Sequence, residues 1–307
     1  MRLIIILIII FFSTSIRCST LAYENKILIK INNEIVTTVD IVNEISYLKS
    51  LNKNIENLDN EKVFAIARNS LIRFKVKEIA LKKIIQEIKI SNEDFNRILI
   101  STYSNTGYTN VDALLAYLKN FDIKSDFIRN KMAINAIWNQ FIYDKYSKNI
   151  KIDPEKLKKK ILENENQFEY LLSEIVFDLE ESQTLSEKFK IIEDAIEKNG
   201  FENSALIYSI SETSNNAGNI GWIGENSINK KILEKISKIN INEYTGPMII
   251  PGGYLILKLK EKRISKKNLN IDEELNRIIR IKTNEQLNQF SNIFLNKFKK
   301  NVIINEL

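Results

Sequence analysis

The chain has 307 residues, 45 basic and 39 acidic side chains, 44% hydrophobic content, one Cys and no His. Without histidine there can be no Ser-His-Asp triad, no His-Glu-x-x-His zinc site and no imidazole general base. A single Cys excludes an internal disulfide and any Cys-x-x-Cys site, so chemistry is left to carboxylates, Lys, Tyr, Ser or binding geometry.

Basic residues alternate with Glu and Asp along most of the chain. That is the pattern of a solvated surface, not the clustered track a nucleic acid needs. No Walker-type phosphate loop is present, and no metal or other cofactor is expected. Met1-Arg2 precedes an apolar run, Leu3 to Phe12, polar residues begin at Ser13, and Thr20 and Ala22 are small. This reads as an export signal over residues 1–22, cut after Ala22; the run is too short for an ordinary membrane span. An uncleaved anchor is the alternative. Arg17 directly before Cys18 argues against lipidation. Cleavage removes the thiol, which suits an oxidising compartment.

Lys26–Ile31 and Glu34–Thr37 read as strands around an Asn32-Asn33 turn. A helix capped by Thr38 follows, with Ile41, Ile45 and Leu48 on one face. A long helix is expected over Asn60–Lys89, with Phe64, Ala67, Leu71, Phe74, Ile79 and Ile84 at helical spacing. Ser91 opens another helix through a capping box. Asn110 caps Val111–Lys119, Ser125 caps a long aromatic helix reaching Tyr146, and Asp153-Pro154-Glu155 starts the next. From Phe168 the pattern changes. Tyr170–Asp178 is a strand, and Thr184-Leu185-Ser186-Glu187 is a capping box for a helix ending at Asn199-Gly200. A short helix runs through Ala205, a polar loop spans Ser209–Gly224, and a helix lies near Asn229–Ser237. Thr245–Ile250 and Tyr254–Lys260 are strands. Asp272–Lys299 is helical and Asn301–Asn305 a last strand. The fold class is therefore α+β and mostly helical, with a compact β-α-α-α-β-β unit between helical segments.

The residues of that unit resemble the parvulin-type (PpiC) prolyl isomerases. The resemblance rests on Leu172-Ser173-Glu174-Ile175-Val176, Asn199-Gly200-Phe201, Ala217-Gly218-Asn219-Ile220-Gly221-Trp222, Gly246-Pro247 and Gly253-Tyr254-Leu255-Ile256-Leu257-Lys258, in order over about Phe168–Lys262. The opening hairpin, the helices up to about Glu165 and the long final helix resemble the SurA family of periplasmic chaperones for outer-membrane proteins.

These resemblances imply a signal (1–22), a SurA-like helical domain (23–166), an inserted parvulin-like domain (167–263), and a carboxy-terminal helix and strand (264–307) packing back on the helical domain. Hinges are expected near 165–167 and 264–268. They also imply that the family's two active-site His positions fall on Glu174 and Leu255, and its Cys or Asp position on Ser211. The prolyl pocket falls on Ile220, Trp222, Ile228 and Ile232. With all three polar positions changed, the expectation is a weak or inactive isomerase and an ATP-independent binder of unfolded outer-membrane or exported polypeptides in the periplasm. It would have no nucleic-acid partner and no stable membrane span. Aromatics including Tyr103, Tyr108, Tyr117, Phe121, Trp138 and Tyr143 are candidates for a client cradle. The alternative is an active isomerase with an altered site.

Overall fold

In the computed structural model, residues 25–163, 168–180, 182–264 and 270–307 are described. The signal segment, Cys18 and both expected hinge stretches except Ile264 lie outside the described residues.

β1 (Ile27–Ile31) and β2 (Glu34–Thr37) form an antiparallel hairpin, turned by Asn32 at φ +50°. β7 (Ile304–Glu306) adds to the other side of β1 and pairs Ile304 with Ile31. The chain's last strand thus closes on its first, with the Asn32 side chain accepting from the Ile303 N–H at 2.9 Å.

α1 (Thr38–Leu51) is capped one residue earlier than expected, by Thr37. Asp40 lies three residues on from Thr37 and bonds back to its N–H at 2.7 Å, completing a capping box that Thr38 has no partner to make. α2 (Asn60–Lys82) stops short of residue 89: the Ile84 N–H tightens onto the Leu81 carbonyl, and Ile84 ends 54% exposed. α3 (Asn92–Thr102) and α4 (Val111–Lys119) start at Ser91 and Asn110 as expected. α5 (Ser125–Tyr146) begins without a side-chain cap, Ser125 being its first helical residue. α6 (Pro154–Glu163) follows Asp153, whose side chain accepts from the Lys156 N–H.

β3 (Phe168–Phe177) is one of the two inner strands of the second sheet. α7 (Leu185–Asn199), with its Thr184/Glu187 capping box, and α8 (Phe201–Tyr208) follow. The structure adds a strand, β4 (Asn219–Gly224), inside the stretch read as a loop. α9 (Lys230–Ile236), β5 (Met248–Ile250) and β6 (Gly253–Ile264) complete an antiparallel sheet of order β4-β3-β6-β5. The two-residue period of β3 sorts its side chains onto two faces. Ile175 and Phe177 meet Ile192, Ile196 and Phe201 of α7 and α8, while Leu172 and Val176 meet Leu255, Leu257 and Ile236 on the other.

α10 (Ile271–Lys299) ties the molecule together. Its 29 residues span about 43 Å at 1.5 Å per residue. Its first half packs Ile278 against Leu157 and Ile161 of α6. Its second half packs on α5: Trp138, 0% exposed, donates its indole N–H to the Ser291 hydroxyl at 2.8 Å, and its ring meets Phe294 edge-on at 5.7 Å. Tyr146 stacks on Phe290 at 4.8 Å. Of the aromatics considered for a cradle, Trp138 and Tyr103 are core. Tyr108 and Tyr143 are 41% and 48% exposed. Among the described residues no helix is long and apolar enough to cross a membrane.

Candidate functional site

The face of the second sheet away from α7 and α8 is not fully packed. Between it, α9 and α10 lies a cavity of about 360 Å³, within the 300–1,000 Å³ range of ligand pockets. Six of the seven site residues expected from the sequence line it: Glu174, Ser211, Leu255, Ile220, Ile228 and Ile232.

β3 presents Glu174 between Leu172 and Val176, on the cavity face. Glu174 Oε1 accepts from the Ser211 hydroxyl at 2.7 Å and the Thr213 hydroxyl at 2.8 Å. Opposite, Leu255 of β6 pairs with Val176 and carries no polar atom on its side chain. Burial pushes the Glu174 carboxyl above the usual glutamate range, and the two hydroxyls pull it back only in part. A carboxyl whose folded pKa is raised favours the native state below its unfolded pKa, near 4.5, and loses that advantage as pH climbs through the folded value. Glu174→Gln keeps an oxygen acceptor for both hydroxyls and removes the ionisation. It is expected to be more stable than the parent at pH 7, with the difference vanishing below about pH 4.5. Urea midpoints at pH 4 and pH 7 test this; a pH-independent difference counts against it.

The seventh expected residue is misplaced. Trp222 does not line the cavity; Ile223 does. The pairing of β3 with β4 skips from Leu172–Gly221 to Ser173–Asn219, leaving Ile220 as an extra residue, and Gly221 takes φ +88°. Such a β-bulge advances the in/out alternation by one. Ile220 and Ile223, not Ile220 and Trp222, therefore share the cavity face. Trp222 sits beside Leu171 and stacks under the Arg263 guanidinium at 3.8 Å, which Glu169 holds at 2.8 Å.

The hydroxyl-bearing loop is anchored from the helical segment. Arg73 of α2 donates to the Ser209 carbonyl at 3.0 Å and the Ser214 hydroxyl at 2.8 Å, and Lys77 pairs with Glu212. Ser211 and Thr213 lie between these tethers. Arg73→Met leaves the buried Ser209 carbonyl and Ser214 hydroxyl without this donor. It is expected to cost about 1–3 kcal/mol and to speed amide exchange across residues 209–217. Unchanged exchange there rules the tether out.

Several lining residues were not legible beforehand. Thr213 lies within Ser209–Gly224, a stretch whose local pattern marks only a polar loop. Ser227, Glu285 and the amides Asn284, Asn288 and Asn292 arrive from elements whose packing is a tertiary outcome. The available signal was the spacing of the three Asn by four, which places them on one stripe of α10. Among the described residues no group of three or more His, Cys, Asp or Glu is placed to hold a metal ion.

Residues 174–261 match the rotamase family described as the PPIC-type PPIASE domain. The chain is 25% identical over 213 residues to the chaperone SurA of Pseudomonas putida, covering 64% of this chain and 49% of that protein. It is 24% identical over 210 residues to the chaperone SurA of Pseudomonas syringae pathovar tomato, again covering 64% and 49%. The chain thus spans about half the length of the curated relatives it matches. Among solved structures it is similar to a SurA-like chaperone of Campylobacter jejuni at 16% identity, covering 92% of this chain and 99% of that one, with a TM-score of 0.34. The chain is SurA-like and carries a PpiC-type domain.

Proposed function

We propose that this chain is a periplasmic, ATP-independent chaperone holding unfolded outer-membrane or exported polypeptides. In this reading its PpiC-type unit, residues 167–263, is a peptide-binding pocket with weak or no isomerase activity. Residues 23–166 and 264–307 form the chaperone body.

One observation carries the reading. The three positions where the parvulin resemblance puts polar active-site residues bear Glu174, Ser211 and Leu255, and they gather at one cavity. Isomerisation of a prolyl amide has an uncatalysed barrier of about 18–20 kcal/mol. Lowering it needs groups that favour the twisted amide over the planar one. Leu255 offers no hydrogen bond, and one oxygen of the Glu174 carboxyl already accepts from two hydroxyls. The apolar lining from Ile220, Ile228 and Ile232 retains the capacity to bind. The signal-like segment and the likeness to SurA support the location and the client class.

The purified protein at stoichiometric ratio is expected to slow aggregation of an unfolded outer-membrane porin. No effect on aggregation removes the chaperone reading. A second reading, a working isomerase, is favoured by the hydrogen bonds that Ser211 and Thr213 donate to Glu174 at the cavity wall. A cis-to-trans assay on Xaa-Pro peptides decides between them: little acceleration at micromolar protein is expected, and strong turnover would establish the enzyme.

A further inference from the structure

The cavity carries more acid than an apolar prolyl slot requires. Glu285 of α10 lines the same space as Glu174. Burial pushes the Glu285 carboxyl up, Lys282 offsets part of this, and the negative charge of Glu174 pushes it further. Among the described residues neither carboxylate is in an ion pair: Glu174 is held by hydroxyls, and Lys282 donates to the Ser227 carbonyl at 2.6 Å. A third group points the same way. The Ser227 hydroxyl, on a residue 2% exposed that also lines the cavity, has no hydrogen-bond partner among the described residues. A buried polar atom left unsatisfied marks a place where something polar belongs.

Two like charges facing one partly desolvated cavity repel each other and lose hydration. A cation brought between them relieves both costs, and the orphan hydroxyl has a lone pair to offer it. The floor beneath, from Ile220, Ile228 and Ile232, is apolar. It suits a proline ring and the methylene stem of a long basic side chain.

We propose that this cavity selects peptide segments in which a Lys or Arg directly adjoins a proline, with the cationic head placed between Glu174, Glu285 and the Ser227 hydroxyl. The inference rests on the pocket-binding reading above and adds its specificity. The occupant follows from charge complementarity, since the walls supply two carboxylates and an acceptor around an apolar floor.

The test uses the full chain without residues 1–22 and fluorescein-labelled peptides that share one core, Ala-Xaa-Pro-Ile, with Xaa as Lys, Gln or Glu. Fluorescence anisotropy at low salt is expected to show the Lys peptide binding on the order of fivefold tighter than the Gln peptide, with the Glu peptide weakest. Added salt is expected to narrow the gap. Glu285→Gln is expected to lower the Lys-to-Gln ratio at least about twofold. Asn288→Asp adds a carboxylate to the same stripe and is expected to raise the ratio, so the inference does not depend on one variant folding. Equal affinity for the Lys and Gln peptides in the parent protein overturns the inference and leaves the pocket reading standing. A Lys preference unchanged in both variants also overturns it. Failure of all three peptides to bind removes the pocket reading itself, and the inference falls with it.

Discussion

Lys131→Met is expected to destabilise the protein by about 3–5 kcal/mol, because it strands a buried carboxylate. Glu44 and Lys131 are 0% and 4% exposed and pair directly across the packed faces of α1 and α5. The ammonium also lies over the rings of Tyr47 and Phe74, at 4.6 and 4.7 Å. Burial, with smaller help from the neighbouring Lys77 and Arg73 charges, pushes the Lys131 pKa down, and Glu44 opposes that shift. With the cation gone, Glu44 keeps the Ser70 hydroxyl at 2.6 Å and the charge of Arg73 nearby, but loses its one directly paired cation, and most of the desolvation cost of its charge is no longer offset.

A control separates this from lost packing. The double variant Glu44→Leu with Lys131→Met replaces the pair with apolar groups and is expected to recover most of the loss, as apolar replacements of buried ion pairs often do. Urea midpoints of the three proteins at pH 7 measure the effect. A single-variant loss under about 1 kcal/mol, or a double variant no more stable than the single one, overturns this account.

That pair also shows where sequence reading stops. Glu44 and Lys131 are separated by 87 residues, and nothing local distinguishes them from the solvated charges around them. What was legible is what the backbone decides within a few residues. The Thr184/Glu187 capping box, the Asp153-Pro154 start of α6 and the Asn110 cap all appear where local hydrogen bonding requires them. Thr37 displaced Thr38 because the reciprocal partner sits at Asp40, a choice settled by one hydrogen bond.

The site follows the same division. Glu174, Ser211 and Leu255 were locatable from motif spacing, and the structure brings them to one cavity. Trp222 was misplaced because a β-bulge is a property of pairing between β3 and β4, invisible in either strand alone. Glu285 and Ser227 were missed because the passage of α10 over the cavity depends on side chains far from it. Trp138 and Phe294 meet edge-on, and Tyr146 and Phe290 stack, fixing where the helix lies along α5. The polar stripe of α10 then faces the sheet as a consequence.

Gly218→Ala is expected to cost at least about 2–3 kcal/mol and to abolish peptide binding in the cavity, through backbone geometry alone. Gly218 sits at φ +74°, and a Cβ there would lie 2.2 Å from the Glu174 carbonyl oxygen and 2.9 Å from Ala205 Cβ. Neither neighbour can yield cheaply. The Glu174 carbonyl belongs to an inner strand, and its own N–H donates to the Gly218 carbonyl at 2.8 Å. Ala205 is fully buried on α8. Relief must therefore move β3 against the loop that carries Ser211 and Thr213, which is also held by the Gly218 N–H bonding the Thr213 carbonyl at 2.9 Å. The carboxylate and its two hydroxyl donors would separate together.

Ala217 provides the internal comparison. It too lies in the left-handed region, at φ +52°, and its methyl is buried. Ala217→Gly relieves about 1 kcal/mol of backbone strain and loses a comparable amount of methyl burial. It should leave stability within about 0.5 kcal/mol of the parent. Adjacent residues in one loop are thus expected to respond very differently to exchanges of a single methyl group, by urea midpoint and by peptide anisotropy. If Gly218→Ala binds peptide as the parent does, the strand-to-loop contact is not what shapes the cavity.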